Sequence, residues 1–450
     1  MEASKSNQGS ALEEESKEPN QLIKGMRSLQ FKKIVQDLHS KRSWKEIISN
    51  DEEKKIKDGL HTLSYTKPSI IQAAAIPKIR ASPNENFLFQ SGNGSGKTGA
   101  FCVPAIFAVD PSSTDYQVII LANSRELIRQ IKQVLDVLSK NTGIKIEIGE
   151  DAEIKQCQIL VTTPNYFANK LTGRTSIKLR AIKLVVFDEA DEIFKHQSNL
   201  EILEVLVNYL KSNTPFPQYV LFLATLDDEV IENIKSIVTE FNSFKLKKEA
   251  LVLKGVCQYY LVADIKKRRE FLQKYFDMFK QCAMIFTNQK KTAIFIQDAL
   301  KELGNSTEML IGGGTMSFQE RDRIIDGFRK QSFHALISTN VLARGIDVPE
   351  VDIVINFDIP VTSNEGYYEP DYANYQHRIG RTGRFGTDGL ALTFVENDND
   401  GVNMGHLKSI ETHYGTEIKE VKSIEEFLEI YRAMRPYLFV YNDSKQGFDI

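Results

Sequence analysis

The sequence predicts an α/β protein made of two parallel β-sheets, each flanked by helices, of the P-loop NTPase type. Three observations carry this. Short apolar runs recur with helix-length segments between them, a Gly-rich loop GNGSGKTGA at 92–100 follows one such run, and the acidic string DEAD at 188–191 abuts another. Continuous rather than alternating apolar runs are expected where a strand is covered on both faces, as in parallel sheets.

The strand candidates come in two series. The first comprises FLF near 88, QVIILA near 118, QILVTT near 159, KLVVFD near 184 and YVLFLAT near 220. A charged stretch around Lys245–Glu249 interrupts the rhythm. A second series then runs through GVCQYYLVA, AMIFTN, STEMLI, FHALIST, VDIVINFD and GLALTFV. This predicts a first domain over 41–248 and a second over 249–435. Residues 1–20 hold five acidic and two basic side chains and few large apolar groups, the composition of a disordered tail. Residues 21–40 place Leu22, Ile23, Met26, Leu29, Phe31, Ile34, Val35 and Leu38 at spacings that suit a short amphipathic helix or a segment docked on a domain surface. Ser43 to Glu46 is a capping box, so a helix is expected to begin at Ser43. The aromatic-rich end, 436–450, reads as a C-terminal tail.

With 450 residues and 42% hydrophobic content the chain can bury at least two cores. No apolar run approaches bilayer length and the start is polar and acidic, so an intracellular chain without membrane insertion is expected. The cysteines, Cys102, Cys157, Cys257 and Cys282, form no metal-binding spacing and read as reduced core residues. A net charge of −3 gives no global attraction to nucleic acid, so any such binding must come from a local groove.

The two motifs define a magnesium–nucleotide site. Phosphates need backbone N–H groups, a cation and a helix N-terminus, and glycines let the backbone close around them. In the loop Gly92, Asn93, Gly94, Ser95 and Gly96 make the cradle, Lys97 reaches the outer phosphates and the Thr98 hydroxyl serves magnesium. The strict pattern asks for Gly where Ser91 stands. Asp188 emerges at the end of an apolar strand, where such sheets place ligands, and is expected to hold magnesium largely through water. Glu189 is placed to orient or deprotonate the water that attacks the γ-phosphate.

The polar residues at the strand ends form a longer series, and that series resembles the DEAD-box RNA helicases from about Trp44 to about Tyr431. The resemblance implies two RecA-like domains with ATP, Mg2+ and single-stranded RNA bound across the cleft between them. YTKPSIIQ at 65–72 looks like the adenine-reading motif, with the Tyr65 ring for stacking and the Gln72 amide for the adenine edge. NSRELIRQ at 123–130 and TTPN at 162–165 resemble the RNA-backbone motifs of the first domain, with Arg125, Thr163 and the helix start at Pro164 as contacts. STNVLARGID at 338–347 places Thr339 toward RNA, the Gly345 backbone toward the nucleotide and Asp347 toward a ribose hydroxyl. In QHRIGRTGR at 376–384, Arg381 and Arg384 match the two transition-state arginines, expected on one helix turn, and His377 is expected to couple to the DEAD carboxylates. Arg321 matches a further RNA contact.

The departures are also informative. Asn123 replaces a usual Pro, Asn165 and Tyr166 replace a Gly-Arg pair, and GGGT at 312–315 lacks a frequent His. The Ser-Ala-Thr that couples hydrolysis to strand separation reads Leu223, Ala224, Thr225. Asp191 therefore has Thr225 as its coupling partner without the serine hydroxyl. ATP hydrolysis is expected to persist; the alternative to an unwinding helicase is an ATP-gated RNA clamp. ERDRIIDGFRK at 320–330, STNVLARGIDVPEV at 338–351 and the long acidic loop before His377 are similar to the mRNA-export subgroup at the cytoplasmic face of the nuclear pore. That resemblance implies mRNA, a nucleoporin and an inositol hexakisphosphate-dependent activator as partners, a monomer, and residence in cytoplasm and nucleus. A translation-initiation helicase of the same family is the rival assignment.

Overall fold

The computed structural model describes residues 40–435 apart from 93, 150–155, 173–178, 196, 215–216, 227, 246–255, 280–281, 312–315, 340–350, 365–366, 384–388 and 399. In the first half a 3-10 turn, Trp44–Glu46, precedes α1 (Asn50–Thr62), α2 (Ile70–Ala81), β1 (Phe87–Gln90), α3 (Lys97–Ala108), β2 (Val118–Leu121), α4 (Arg125–Ser139), β3 (Ile146–Gly149), β4 (Ile159–Thr162), α5 (Pro164–Thr172), β5 (Leu184–Phe187), α6 (Ala190–Lys195), α7 (Gln197–Asn213), β6 (Gln218–Leu223), α8 (Asp228–Ile237) and β7 (Asn242–Lys245). The second half holds β8 (Val256–Val262), α9 (Ile265–Phe279), β9 (Ala283–Phe286), α10 (Lys290–Glu302), β10 (Thr307–Leu310), α11 (Phe318–Arg329), β11 (Ala335–Ser338), β12 (Ile353–Asn356), β13 (Val361–Asn364), β14 (Tyr367–Pro370), α12 (Tyr372–Ile379), β15 (Gly389–Val395), α13 (Val402–Tyr414), β16 (Lys419–Glu420) and α14 (Ile424–Met434).

The strands form two seven-stranded sheets, in the orders β3-β4-β2-β5-β6-β1-β7 and β10-β11-β9-β12-β15-β8-β16. Every pairing within them is parallel. The apolar runs explain this directly. Along β1, Phe87 and Phe89 enter one core with α1 to α4, while Leu88 enters the other with α5 to α8. Phe89 stacks on Phe222 of neighbouring β6 and on Phe244 of β7, with centroids 5.2 and 5.4 Å apart. The second sheet is likewise covered by α9, α10 and α14 on one face and α11 to α13 on the other.

Three local expectations change. The helix expected at Ser43 is only a single 3-10 turn, and the longer helix starts after a second capping box, Ser49 with Glu52. Trp44 is buried and its indole N–H donates to the Tyr65 carbonyl at 2.8 Å, so this turn buttresses the adenine motif instead. The acidic loop before His377 folds in part into an antiparallel ribbon, β13–β14. Cys102 and Cys157 are buried, but Cys257 and Cys282 are only half-buried. The segment expected at 21–40, apart from Ser40, and the tails at 1–20 and 436–450 lie outside the described residues. Among those described, no helix is long and apolar enough to cross a membrane.

Candidate functional site

The phosphate loop leaves β1 at Gln90 and enters α3 at Lys97. Gly94 and Gly96 have φ of +70° and +93°, backbone that side chains rarely adopt. Ser91 has no such requirement. Its N–H donates to the Leu223 carbonyl at 3.1 Å and its hydroxyl pairs with Ser95 at 2.9 Å, which accounts for a serine where the strict pattern has glycine. The Lys97 ammonium reaches back into the loop, donating to the Ser91 and Gly92 carbonyls at 2.8 and 3.2 Å. Thr98 follows it in the first turn of α3; Asn93 lies outside the described residues.

The adenine motif is built onto this loop. Gln72 is buried, accepts from the Ser69 N–H at 2.9 Å and donates to the Gly96 carbonyl at 3.1 Å. A Cβ at Gly99 would lie 2.5 Å from the Gln72 amide nitrogen and 2.9 Å from the Tyr65 ring, so Gly99 is required for α3 and α2 to meet. Sequence reasoning missed Ser69 and Gly99. The Ser69–Gln72 capping-box spacing was the available signal for the first; Gly99 gave none.

Asp188 and Glu189 sit where β5 ends. The Asp188 N–H donates to the Leu121 carbonyl, and its carboxylate accepts from the Glu189 N–H at 3.1 Å. Glu189 has φ +51°, a left-handed conformation that a non-glycine residue adopts at a cost of order 1–3 kcal/mol. Burial, reinforced by the neighbouring Glu189 charge, pushes the Asp188 carboxyl up to about 7, against the pull of Lys97. A buried carboxylate with a half-buried one next to it, beside a phosphate loop, is the charge arrangement that a divalent cation neutralises. Thr98 and Asp188 fit magnesium as a few-ligand, water-rich site; the described residues contain no three-residue metal cluster.

Coupling is only half built. The Thr225 N–H and hydroxyl both donate to one Asp191 oxygen, at 3.0 and 2.7 Å. The other, Oδ1, is buried without a hydrogen-bond partner among the described residues, and Leu223 is in the core.

From the second sheet, His377 is buried on α12. Arg381 lies beyond that helix: Gly380 is its C-cap and Gly383 turns with φ +72°. The expectation of two arginines on one helix turn is thus corrected, because a Cβ at Gly383 would lie 3.0 Å from Gly389 and Val256. Arg384, Gly345 and Asp347 lie outside the described residues. Missed by sequence was the support for this segment. Arg378 is fully buried and donates to the Asp358 carbonyl at 2.9 Å and the Asn288 side chain at 2.8 Å. The Asp358 carboxylate accepts from Asn288 N–H, Thr287 and Arg268. Burial draws the Arg378 guanidinium down to about 10, with Asp358 opposing.

Three of the RNA candidates, Arg125, Pro164 and Arg321, lie in the first turn of a helix, Thr163 just precedes one, and Thr339 lies just beyond the end of β11. Arg125 opens α4, which Ser124 caps through Leu127 N–H. Thr163 precedes Pro164 at α5, and Thr339 follows buried Ser338. Arg321 is engaged by Glu126 of the first sheet's side at 3.1 Å.

A phosphate loop, a DEAD box and an arginine segment on two parallel sheets define a two-domain P-loop ATPase. The family model described as DEAD/DEAH box helicase matches residues 69–234, and that described as helicase conserved C-terminal domain matches 267–386. The chain is 35% identical to the ATP-dependent RNA helicase DBP5 of Lodderomyces elongisporus over 84% of its own length and 73% of that protein. It is similar to S. cerevisiae Dbp5 bound to RNA and ADP BeF3, at TM-score 0.77 and 33% identity, covering 88% of this chain and 99% of that one. A variant of the same yeast protein bound to Nup159, Gle1, IP6 and ADP gives TM-score 0.61 and 32% identity, covering 84% and 98%. The chain belongs to the DEAD/DEAH box helicase family, and it is an ATP-dependent RNA helicase with two RecA-like domains.

Proposed function

We propose that this helicase acts in mRNA export at the cytoplasmic face of the nuclear pore, moving between nucleus and cytoplasm as a monomer. Residues 41–248 form its ATP-binding domain and 249–435 its second helicase domain. What supports the export role is the subgroup resemblance at 320–330 and 338–351, together with the yeast relative that carries Nup159, Gle1 and IP6. Its expected partners are accordingly mRNA, a nucleoporin and an inositol hexakisphosphate-dependent activator.

The observation that carries the mechanism is the joining of Gln72 and Lys97 to one loop beside Asp188 and Glu189; Arg381 is expected to reach this site from the other domain. ATP lies with its adenine against Tyr65 and Gln72 and its phosphates on residues 92–98. Magnesium, when bound, offsets phosphate charge, and Thr98 and Asp188 hold it largely through water. Glu189 orients a water and takes its proton as the new P–O bond forms and the bond to the ADP oxygen breaks. Lys97, Arg381 and Arg384 stabilise the charge that develops on the transferred group. Gly345 and Asp347 complete the nucleotide site. Arg125, Thr163, Pro164, Arg321 and Thr339 hold the RNA backbone, so binding is sequence-tolerant and weakened by salt. Asp191, Thr225 and His377 link the two ligands.

A second reading, an ATP-gated clamp with little unwinding, is favoured by Leu223 and the unsatisfied Asp191 Oδ1. One experiment separates them. ATP turnover is measured with and without single-stranded RNA, beside release of a short duplex, for the native chain, Glu189→Gln and Leu223→Ser. RNA-stimulated turnover that is lost in Glu189→Gln is expected. Turnover without duplex release, rescued by Leu223→Ser, assigns the clamp; release by the native chain rejects it. An activator and IP6 that leave turnover unchanged would count against the export assignment.

A further inference from the structure

The structure holds a second set of charges between the two domains, separate from the nucleotide site. On α4, Glu126 and Arg129 are three residues apart and so share one face. On α11, Arg321 and Asp322 are adjacent. The two helices meet with signs reversed: Arg321 pairs with Glu126 at 3.1 Å, and Arg129 pairs with Asp322. We propose that Arg129 and Asp322 are positioning residues that select the closed arrangement of the domains on RNA, an inference that rests on the proposed binding of one RNA strand by both domains.

Three features support it. The reversed order is self-checking along α4, because a one-turn slip of that helix would bring Arg129 to Arg321 or Glu126 to Asp322, which both weakens the contact and rejects the wrong docking. The pairs also lie beside the RNA candidates. Arg125 immediately precedes Glu126, and Arg321 immediately precedes Asp322, so docking these helices brings one proposed phosphate contact from each domain to the same strand. Finally, the space between the helices is polar. A cavity of about 190 Å³ there is lined by Glu126, Arg129, Asp322, Gln130, Gln133, Asp326 and Arg329, with Ile325 as its one apolar side chain. A joint of that kind can separate without exposing a large apolar face, as a cycling enzyme requires.

The two pairs have different burdens. Glu126 is only 10% exposed and Arg321 19%, whereas Arg129 and Asp322 are 35% and 40% exposed. The inner pair turns Arg321 toward its work; the outer pair is hydrated when the domains part and joined when they close, so it biases the equilibrium modestly and in a salt-dependent way.

The test is a charge swap in the full chain. Arg129→Glu and Asp322→Arg should each raise the RNA concentration for half-maximal ATPase stimulation about fivefold. The double variant R129E/D322R should return within about twofold of native, and the defect of the singles should shrink in high salt. Closure is read independently from energy transfer between dyes on the two domains, with RNA and ADP–BeF3. If a reversal variant does not fold, Arg129→Gln and Asp322→Asn replace it. A double variant no better than the worse single, or singles with native closure, overturns the proposal. A native chain that closes without RNA-stimulated turnover would instead fail the functional reading, while the dye measurement still decides the latch.

Discussion

The first and second domains present their functional side chains by opposite physical means. In the first, candidate ligand-facing groups are tied directly to one another or to the phosphate loop: Gln72 to the Gly96 carbonyl, Lys97 to the Ser91 and Gly92 carbonyls, Thr225 to the Asp191 carboxylate. In the second, Arg381 is one member of a segment anchored deep in the domain by Arg378, Asp358, Asn288 and Arg268. The difference teaches a division of labour. On the proposed mechanism, the first domain would bind nucleotide alone, because the described part of its cradle is prebuilt, whereas hydrolysis would wait for a charge delivered by Arg381 across the cleft.

The largest break in this comparison is Arg381→Ala. Removing a transition-state arginine is expected to lower RNA-stimulated kcat about 10³-fold or more, with nucleotide affinity within a few-fold. Equal loss of both, measured by turnover and by a fluorescent nucleotide, would mean that the second domain also shapes ground-state binding.

Asp358→Asn attacks the anchor rather than the arginine. The amide leaves the backbone carbonyl that Arg378 uses but weakens the carboxylate's bonds to Arg268, Thr287 and Asn288. Small misplacement of a catalytic group is costly, so kcat should fall about 10- to 100-fold while the KM for ATP holds. A loss that appears only as a lower Tm, with kcat intact at low temperature, would make the cluster structural only.

Gly99→Ala tests the first domain. Alanine favours the helix by about 1 kcal/mol over glycine, yet here its Cβ would lie 2.5 Å from Gln72 and 2.9 Å from Tyr65. The adenine motif must shift, and the KM for ATP should rise about tenfold with saturated kcat within about twofold. Gly405→Ala, also helical but with open space around its Cβ, is the control; a similar KM change there would disconnect the effect from the clash.

The same contrast explains what could be read from the sequence. Lys97, Thr98, Asp188 and Glu189 were legible because adjacent residues and an apolar strand set their chemistry. The interior strands were legible as unbroken apolar runs, but β3, β7 and β16 were not: IEIG is half-exposed at a sheet edge, NSFK is polar, and KE is only two exposed residues. The anchors of the second domain left no local trace. Arg378 and Asp358 are 20 residues apart, and Arg129 and Asp322 are 193 apart, so only the folded sheet orders bring them together. Arg381 was misassigned to a helix because the left-handed Gly383 and its contact with Gly389 are tertiary facts.

The smallest effect is one of pH, and it should divide the domains most cleanly. Burial and Glu189 raise Asp188 to about 7, whereas in the unfolded chain it titrates near its usual value of about 3.9. Between those values the folded chain binds more protons than the unfolded one, so the contribution of Asp188 to stability falls as pH rises from about 4 to about 7 and then levels off. Asp188→Asn removes that slope. The Tm gain of this variant over the native chain, without nucleotide or magnesium, should be small near pH 5 and grow to roughly 2–5 °C at pH 8. In the second domain Arg378, though lowered to about 10 by burial, stays charged throughout this range, while burial lowers the His413 imidazole, so its contribution to stability rises with pH, opposite in sign to that of Asp188. Scanning calorimetry at the two pH values is the measurement. A gain independent of pH would show that Asp188 is ionised in the folded chain already at pH 5, so that the first domain's site is no less charge-satisfied than the second's.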